Sequence, residues 1–320
     1  MRRFLYKFCA FIFVFAIILL AVCFSMYRWM LANPNNYVPY THEINVQQSV
    51  ERLKKKTKPS IIIIGGSGCG FGFISPLLSA HYQMPVVNTG THAGLGLRLQ
   101  VLLVKPYVKP GDIVLVIPEY AQFTKAFYGS EVTWRIMTAT MQDAMDSISW
   151  KQYLYLSKYF FTSFKEAWSA YKSPLPNVND SINSTSPYSS LSLNEYGDVT
   201  LYEYRLHEDI PIPQHTHHNI NKDAVSFLKE FREHCHQESA TFLLFPPTYH
   251  EEAYEIDKDF INEVEQLLDV ENIPYSVDTR RYAFPDSLFY DTNYHLTYDG
   301  CLIRTQMIIN DVDSLLVGKR

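Results

Sequence analysis

Cysteine is scarce in this chain, and the few cysteines form no pattern. Of the five, Cys9 and Cys23 lie in an apolar N-terminal run, which leaves Cys69, Cys235 and Cys301 in the rest of the sequence. An odd number excludes a complete disulfide framework of the kind that stabilises small secreted domains. One bridge among these three is still possible, and its partners cannot be read from the sequence.

Positive charge is outnumbered by negative charge over most of the chain. The first thirty residues hold Arg2, Arg3, Lys7 and Arg28 and no acid. Subtracting these four charges from the net charge of −5 leaves −9 for the remainder. A surface with this balance is unsuited to holding a nucleic acid or another polyanion across a broad face.

The run Phe8–Tyr27 lacks charge altogether and is long enough to cross a bilayer as a helix. Basic residues precede it, so residues 1–7 are predicted to be a cytoplasmic tail and the chain beyond the run to lie outside. A cleaved signal peptide is the alternative, but no small-residue cleavage site follows the run. We therefore expect a single-pass anchor in the cytoplasmic membrane, with residues 28–59 as a polar connector.

Two familiar kinds of binding motif are also missing. The glycine-rich stretch "GGSGCGFG" lacks the Gly-Lys-Ser/Thr ending of a phosphate-binding loop, which argues against a nucleotide. The histidine groups "HTHH" at 215–218 and "HCH" at 234–236 match no recognised zinc spacing. We expect no metal and no cofactor.

What the sequence does contain is an alternation of short apolar runs with helical stretches. Short β-branched runs of this kind are typical of buried parallel strands. They predict a three-layer α/β/α fold with a mostly parallel, flavodoxin-like five-stranded sheet, whose functional residues collect at the carboxyl ends of the strands. The five runs are "SIIIIGG", "MPVVNTG", "GDIVLVIPEY", "SATFLLFPP" and "IPYSVD".

The alternation is interrupted between residues 121 and 219, which we interpret as an insertion after the third strand. Its first half is aromatic and helical in pattern, and a Ser/Asn/Pro-rich tract that reads as a flexible loop follows. Two roles stay open for the insertion: extra core, or a lid or partner surface.

Ser67 follows the first predicted strand and precedes a predicted helix, so its hydroxyl is expected at the carboxyl edge of the sheet. A serine hydroxyl is a weak nucleophile and needs a base. His295, four residues after Asp291, is the candidate. In a helical turn this spacing places both side chains on one face, so that the carboxylate can hold one imidazole nitrogen while the other faces the serine.

A serine after the first strand and an Asp/His pair before the last helix resemble the SGNH (GDSL-like) hydrolase superfamily. The likeness is greatest to its membrane-anchored members related to alginate acetylation proteins and the teichoic acid D-alanine-transfer protein. It covers Ile61–Tyr120 and Ala240–Ile309 and implies an SGNH-like domain over residues 60–320. The resemblance makes Ser67 the nucleophile and His295, oriented by an acid four residues before it, the base.

The same resemblance implies an oxyanion hole and substrate contacts. The stretch "NTGTHAGLG" matches the family's second motif, which makes the Gly94 N–H an oxyanion donor beside the Ser67 N–H. Asn88, Glu119 and Tyr120, at the ends of the second and third strands, are expected to contact substrate. The chain departs from the family in two ways: the acid and base are spaced DxxxH instead of DxxH, and Glu119 stands where the family has an asparagine. A carboxylate cannot donate that asparagine's hydrogen bond.

The resemblance implies a serine-dependent O-acyltransferase or esterase that acts on a cell-envelope glycan through an acyl-enzyme. For transfer, a multispanning membrane acyltransferase is the expected partner that supplies the acyl group. The alternative is a non-catalytic glycan-binding or envelope-assembly protein with the same fold. The sequence does not distinguish transfer from hydrolysis, nor does it identify donor, acceptor, oligomeric state or envelope type.

Overall fold

The computed structural model describes residues 2–32, 41–140, 148–172, 186–200, 210, 212 and 219–317. The chain divides into two compact units. The first joins Met1–Pro39 with Trp134–Ser181, and the second joins Tyr40–Thr133 with Ile182–Arg320.

The α-helices and strands of the described residues follow in chain order. They are α1 (Arg2–Ala32), α2 (Thr41–Lys54), β1 (Ile61–Gly65), α3 (Ser67–Gly70), α4 (Ser75–Tyr82), β2 (Val86–Asn88), α5 (Gly96–Val104), β3 (Ile113–Ile117), α6 (Glu131–Arg135), α7 (Trp150–Leu156), α8 (Phe160–Lys172), α9 (Lys222–Gln237), β4 (Thr241–Leu244), β5 (Tyr249–His250), α10 (Glu251–Ile256), α11 (Lys258–Val270), β6 (Ala283–Phe284) and α12 (Tyr298–Val317).

The second unit is built on a parallel sheet of four strands in the order β2-β1-β3-β4. Four of the predicted strands are confirmed, and with them the parallel α/β class. The fifth is not: residues 273–278 form no strand, although Ser276 N donates to Leu244 O at 2.7 Å. Proline at 274 removes a donor from this segment, which disfavours a longer ladder. A separate parallel pair is formed by β5 and β6.

Both faces of the four-stranded sheet are covered, which explains why its strands are continuous apolar runs. Ile62 and Ile64 of β1 point into a core shared with α5, α9 and α11. Ile61 and Ile63 point to the other side, into a core shared with α4 and α12. The period of two along a strand therefore divides one isoleucine run between two cores.

Part of the predicted connector is structured. Residues 41–54 form α2, and its apolar side chains Val46, Val50 and Leu53 are buried. Lys56, which follows in the basic cluster, forms a buried ion pair with Asp112. At least this lysine belongs to the interior of the fold and is not a surface charge.

The first unit contains the N-terminal helix. α1 is long and apolar enough to cross a membrane, and its side chains are exposed from residue 2 to Val22. Toward its C-terminal end Tyr27 and Met30 become buried in a cluster with Trp134 and Phe160. The first half of the predicted insertion is helical in α6, α7 and α8, in agreement with its pattern.

Candidate active site

Ser67 lies in a sharp turn at the carboxyl end of β1 and is half-buried. The turn requires glycine at residue 65, because a Cβ there would lie 2.4 Å from Cys69 Sγ and 2.6 Å from the Ile117 carbonyl oxygen. Ser67 itself begins a single helical turn, α3, and the helix predicted around Ser75–Tyr82 follows it as α4. Alignment of peptide dipoles over one turn contributes little, so any stabilisation of an anion depends on individual N–H groups.

The loop before α12 packs directly against this turn. Leu296 N donates to Phe71 O at 3.1 Å. A Cβ on Gly68 would lie 3.2 Å from Cβ of Tyr294. The Phe71 ring stacks on the His295 imidazole, with 4.2 Å between the ring centroids. The structure thus brings the serine turn and the histidine loop, 228 residues apart in sequence, into contact.

His295 and Asp291 form a hydrogen-bonded pair, with 2.8 Å between Nδ1 and Oδ1. The two residues lie in a loop and not in the helical turn that the spacing suggested, and Thr292 Oγ1 accepts from the His295 N–H at 3.1 Å. The loop therefore accommodates the four-residue spacing. The contact leaves Nε2 of the imidazole facing away from the carboxylate, as a general base requires.

A third residue, Tyr188, contacts both members of this pair. The Tyr188 hydroxyl donates to Oδ2 of Asp291 and lies 3.2 Å from Nδ1 of His295. Burial opposes ionisation of Asp291, but the hydrogen bond and charge of His295, together with the Tyr188 hydroxyl, lower the pKa of Asp291 below its ordinary value. The carboxylate is therefore ionised at neutral pH and can hold the imidazole in one tautomer.

The hydroxyl and the N–H of Ser67 make no hydrogen bond to any part of the chain that the structure describes. The Ser67–His295 hydrogen bond of an assembled catalytic pair is thus not formed in this conformation. Such bonds often tighten only when a substrate is bound. The free Ser67 N–H is available to an oxyanion.

Cys69 is the other nucleophile in the turn, and its environment disfavours reaction. Its side chain is buried, and burial raises the pKa of the thiol to about 11, an effect that the nearby Arg304 only partly offsets. The thiolate is the reactive form of cysteine, so at neutral pH this thiol is inert.

Glu119 follows the end of β3 by two residues and is buried. Its Oε1 accepts from Gly68 N at 3.2 Å. Burial raises the pKa of Glu119, while the Gly68 N–H and the charges of His295 and Arg304 partly oppose the shift. Among the predicted substrate contacts, this is the one that the structure places beside Ser67.

The other predicted contacts are engaged elsewhere. Gly94 N donates to Nδ1 of His92 at 2.9 Å, so it is not available as an oxyanion donor. The Asn88 amide donates to Cys69 O and to Asp198, both at 2.9 Å, which makes it a support beneath the turn. Tyr120 is packed in the core of the sheet. In this conformation fixed partners engage the polar groups of Gly94 and Asn88, and Tyr120 is buried, so these three substrate and oxyanion contacts stay predictions.

Sequence reasoning missed three residues around the site. Tyr188 comes from the tract that reads as a flexible loop and the buried Asp198 follows that tract, and no sequence signal marks either residue. Arg304 is buried on α12 and its Nη1 donates to Gly68 O at 2.6 Å. Arg304 did have a signal, because the helical period places it on the same buried stripe as Cys301 and Ile308.

A hydrogen-bonded His/Asp pair is not by itself distinctive here. His81 of α4 pairs with Asp313 of α12 at 2.9 Å on the exposed surface. His250 pairs with Asp286 at 2.9 Å. What distinguishes His295 is its contact with the serine turn.

The two histidine groups of the sequence are described unequally. Residues 215–218 lie outside the described residues. In the part that is described, no group of three or more His, Cys, Asp or Glu side chains is arranged to hold a metal ion. None of the five cysteines forms a disulfide bond. Neither protein-family models nor curated proteins match this chain, so its role must be argued from the arrangement around Ser67.

Proposed function

We propose that this protein is a serine-dependent O-acyltransferase or esterase that acts on a cell-envelope glycan, anchored by α1 with its second unit outside the cytoplasmic membrane. The observation that carries the proposal is the Asp291–His295 hydrogen bond of 2.8 Å in a loop that packs on the Ser67 turn. This arrangement at a strand end supports the assignment of Ser67 as nucleophile, His295 as base and Asp291 as orienting acid.

In the proposed reaction, Ser67 Oγ attacks the carbonyl carbon of an ester and His295 Nε2 takes the hydroxyl proton. Asp291 stabilises the imidazolium through Nδ1–H. When the tetrahedral intermediate collapses, its C–O bond to the leaving alcohol breaks and His295 returns the proton to that alcohol. The acyl group then passes from Ser67 to a glycan hydroxyl or to water by the same steps in reverse.

The oxyanion of the intermediate needs donors, and Gly94 cannot supply one in this conformation. The Ser67 N–H is free for this role. Glu119 supplies a second donor in its protonated form, because a neutral carboxyl group carries an O–H. Its burial and raised pKa favour that form. We propose that the protonated carboxyl group takes the place of the asparagine amide in the family pattern.

Transfer is favoured over hydrolysis by the anchor and by the family likeness. A transferase of this type would receive its acyl group from a multispanning membrane acyltransferase. The non-catalytic alternative, a glycan-binding or assembly protein, is favoured by one specific observation: Ser67 Oγ makes no hydrogen bond to His295 in the described structure.

Covalent labelling separates the two. The full-length chain in detergent is treated with a fluorophosphonate probe, and the modified peptide is identified by mass spectrometry. We expect one label, on Ser67, that is lost in Ser67→Ala and in His295→Ala. His81→Ala is the matched control, since it removes a hydrogen-bonded histidine that does not contact the serine turn. Wild-type protein that stays unlabelled at Ser67 while folded would favour the binding protein.

A further inference from the structure

The helices α7 and α8 of the first unit present an unusual outer surface. Three of its apolar side chains are largely exposed: Trp150 by 71%, Leu154 by 52% and Phe161 by 66%. Among them lie four exposed lysines that recur every seven residues. They are Lys151, Lys158, Lys165 and Lys172. Seven residues are close to two helical turns, so the lysines share one side of the helical segment. We refer to these seven side chains as the lysine-aromatic face.

Negative charge is nearly absent from this segment. Between residues 148 and 172 the sequence holds a single acid, Glu166. That acid is paired with Arg135, with 3.5 Å between Oε2 and Nη1. The lysine-aromatic face is therefore basic. Lys158 Nζ lies 3.8 Å from the centroid of the Tyr155 ring, so this ammonium group stays close to the aromatic surface.

The face lies near the end of the apolar helix. Phe160, whose neighbour Phe161 is exposed, contacts Phe24 and Tyr27 with ring centroids 6.2 and 5.8 Å apart. Both partners belong to the last turn of the uncharged run that ends at Tyr27. If α1 crosses a membrane, this level is where the hydrocarbon ends and the headgroups begin.

We propose that the lysine-aromatic face lies on the anionic headgroup layer of the membrane that α1 crosses. Aromatic and aliphatic side chains insert at the boundary between headgroups and acyl chains, while lysines on the same side contact lipid phosphates. Each lysine near an anionic surface strengthens such binding several-fold. The face thereby extends the membrane contact from one helix end to a flat helical patch. This inference rests on the proposed role of α1 as a span.

The experiment measures how close single labels come to lipid. The full-length chain carries an environment-sensitive fluorophore on a cysteine at position 161 (Phe161→Cys), with Cys9 and Cys23 replaced by serine. It is reconstituted into vesicles of phosphatidylcholine with phosphatidylglycerol and a lipid bearing a nitroxide near the headgroup. Cys69, Cys235 and Cys301 are buried and should not react in the folded protein.

Two further labels serve as controls. Val270→Cys reports on a side chain that is 74% exposed on α11 of the second unit. Native Cys9, with Cys23 replaced, reports on α1 itself. We expect quenching at 161 and Cys9 and little at 270. Replacing the four lysines by glutamine should reduce quenching at 161 about threefold or more, and raising the salt concentration should act in the same direction.

The outcomes distinguish the proposed membrane contact of the lysine-aromatic face from the proposed membrane span of α1. Quenching at Cys9 without quenching at 161 would overturn the proposal and leave the span intact, and the face would then be one that a protein partner covers. Absence of quenching at Cys9 would overturn the span and the proposal together. Quenching at 161 that is unchanged in the glutamine variant would reject anionic lipid as the ligand.

Discussion

Two parts of the predicted insertion, residues 150–172 and 186–200, bury their side chains in different ways. The first is helical, and its buried positions, among them Gln152, Leu156 and Phe160, follow the helical period. The second has a short 3₁₀ helix, Ser190–Ser192, and turns, and there four polar side chains are buried while the apolar Leu191 is exposed; the buried four are Ser189, Ser190, Ser192 and Asp198.

The contrast has a physical cause. A helix satisfies its own backbone, so only the apolar stripe decides what is buried, and that stripe can be read from the sequence. A segment of turns must satisfy its backbone through side chains such as serine and aspartate. In 186–200 those polar side chains are buried with their hydrogen bonds, and a composition that is typical of flexible loops describes a packed segment instead.

The largest effect that would test this contrast is expected at Asp198. Its carboxylate accepts from Ser75 N at 2.8 Å, Ser75 Oγ at 2.6 Å and Asn88 Nδ2 at 2.9 Å. Asp198→Ala leaves these buried donors unpaired and should lower the free energy of unfolding by about 3 kcal/mol or more. Differential scanning fluorimetry of the full-length chain in detergent would show this as a fall in Tm.

Glu195→Ala is the matched control, because it removes an exposed acid of the same segment. It should leave Tm unchanged. If Asp198→Ala were equally silent, residues 186–200 would be dispensable for folding, as their composition alone suggests.

The fold itself was predictable to the extent that it depends on apolar patterning. Four strands and their parallel arrangement could be predicted from β-branched runs. A strand that is buried on both faces is apolar throughout, so it stands out from the polar sequence around it. The strand assigned to 273–278 failed since a short run cannot show whether a neighbouring strand edge is free to pair. Helix α2 was missed because its buried stripe of Val46, Val50 and Leu53 is embedded in polar sequence.

The next effect is expected at Asp291, the acid that accepts a hydrogen bond from Tyr188 of residues 186–200. Asp291→Asn removes the charge that stabilises the imidazolium and should slow labelling of Ser67 by about tenfold to a thousandfold. The rate of probe incorporation measures it, and an unchanged Tm shows that the loop is intact. If the labelling rate stayed within about twofold of wild type, Asp291 would be removed from the proposed triad.

Glu119 provides a comparison that is independent of residues 186–200, since none of them is among the causes of the shift in its pKa. Its expected effect depends on pH. With its pKa raised by burial, its contribution to stability is fully present below the ordinary glutamate pKa and is lost as the pH rises toward the folded-state pKa. Within that window the unfolding free energy should fall by about 1.4 kcal/mol per pH unit relative to Glu119→Gln.

Denaturant titrations at several pH values, with wild type and variant compared at each, give this difference directly. A flat difference would show that Glu119 is ionised in the folded protein, and the proposed O–H donor would be lost. Labelling of Ser67 offers an independent reading: Glu119→Gln keeps an N–H donor and should retain more activity than Glu119→Ala.

The sequence order and the ends of the predicted elements were enough to predict that the serine, the histidine and the two acids lie at one edge of the sheet. They were not enough to predict the contacts between these residues. Whether the Gly94 N–H is free depends on the rotamer of His92, and whether Asn88 faces the site depends on Asp198, which lies 110 residues away. Such long-range partners carry no local sequence signal.

A smaller effect is expected at Tyr188, which links 186–200 to the acid of the pair. Tyr188→Phe removes one hydrogen bond from Asp291 and keeps the ring contact with Phe71, whose centroid is 5.3 Å away. The labelling rate should fall about threefold to tenfold, because one hydrogen bond to a partly exposed charged group contributes about 1 kcal/mol. A fall as large as that of Asp291→Asn would mean that the tyrosine, and not the carboxylate alone, positions the imidazole.

The smallest effect is expected where polarity is inverted, at neighbouring residues of 186–200. Leu191 is 61% exposed, whereas Ser192 is buried and its Oγ donates to Pro187 O at 2.6 Å. Leu191→Ser should change the unfolding free energy by less than about 0.5 kcal/mol, as is usual for surface positions. Ser192→Ala should cost about 1 kcal/mol, because it removes a donor from a buried carbonyl. Denaturant unfolding of both variants measures the pair. If the leucine variant were the more destabilised of the two, hydropathy would govern this segment after all, and its difference from residues 150–172 would disappear.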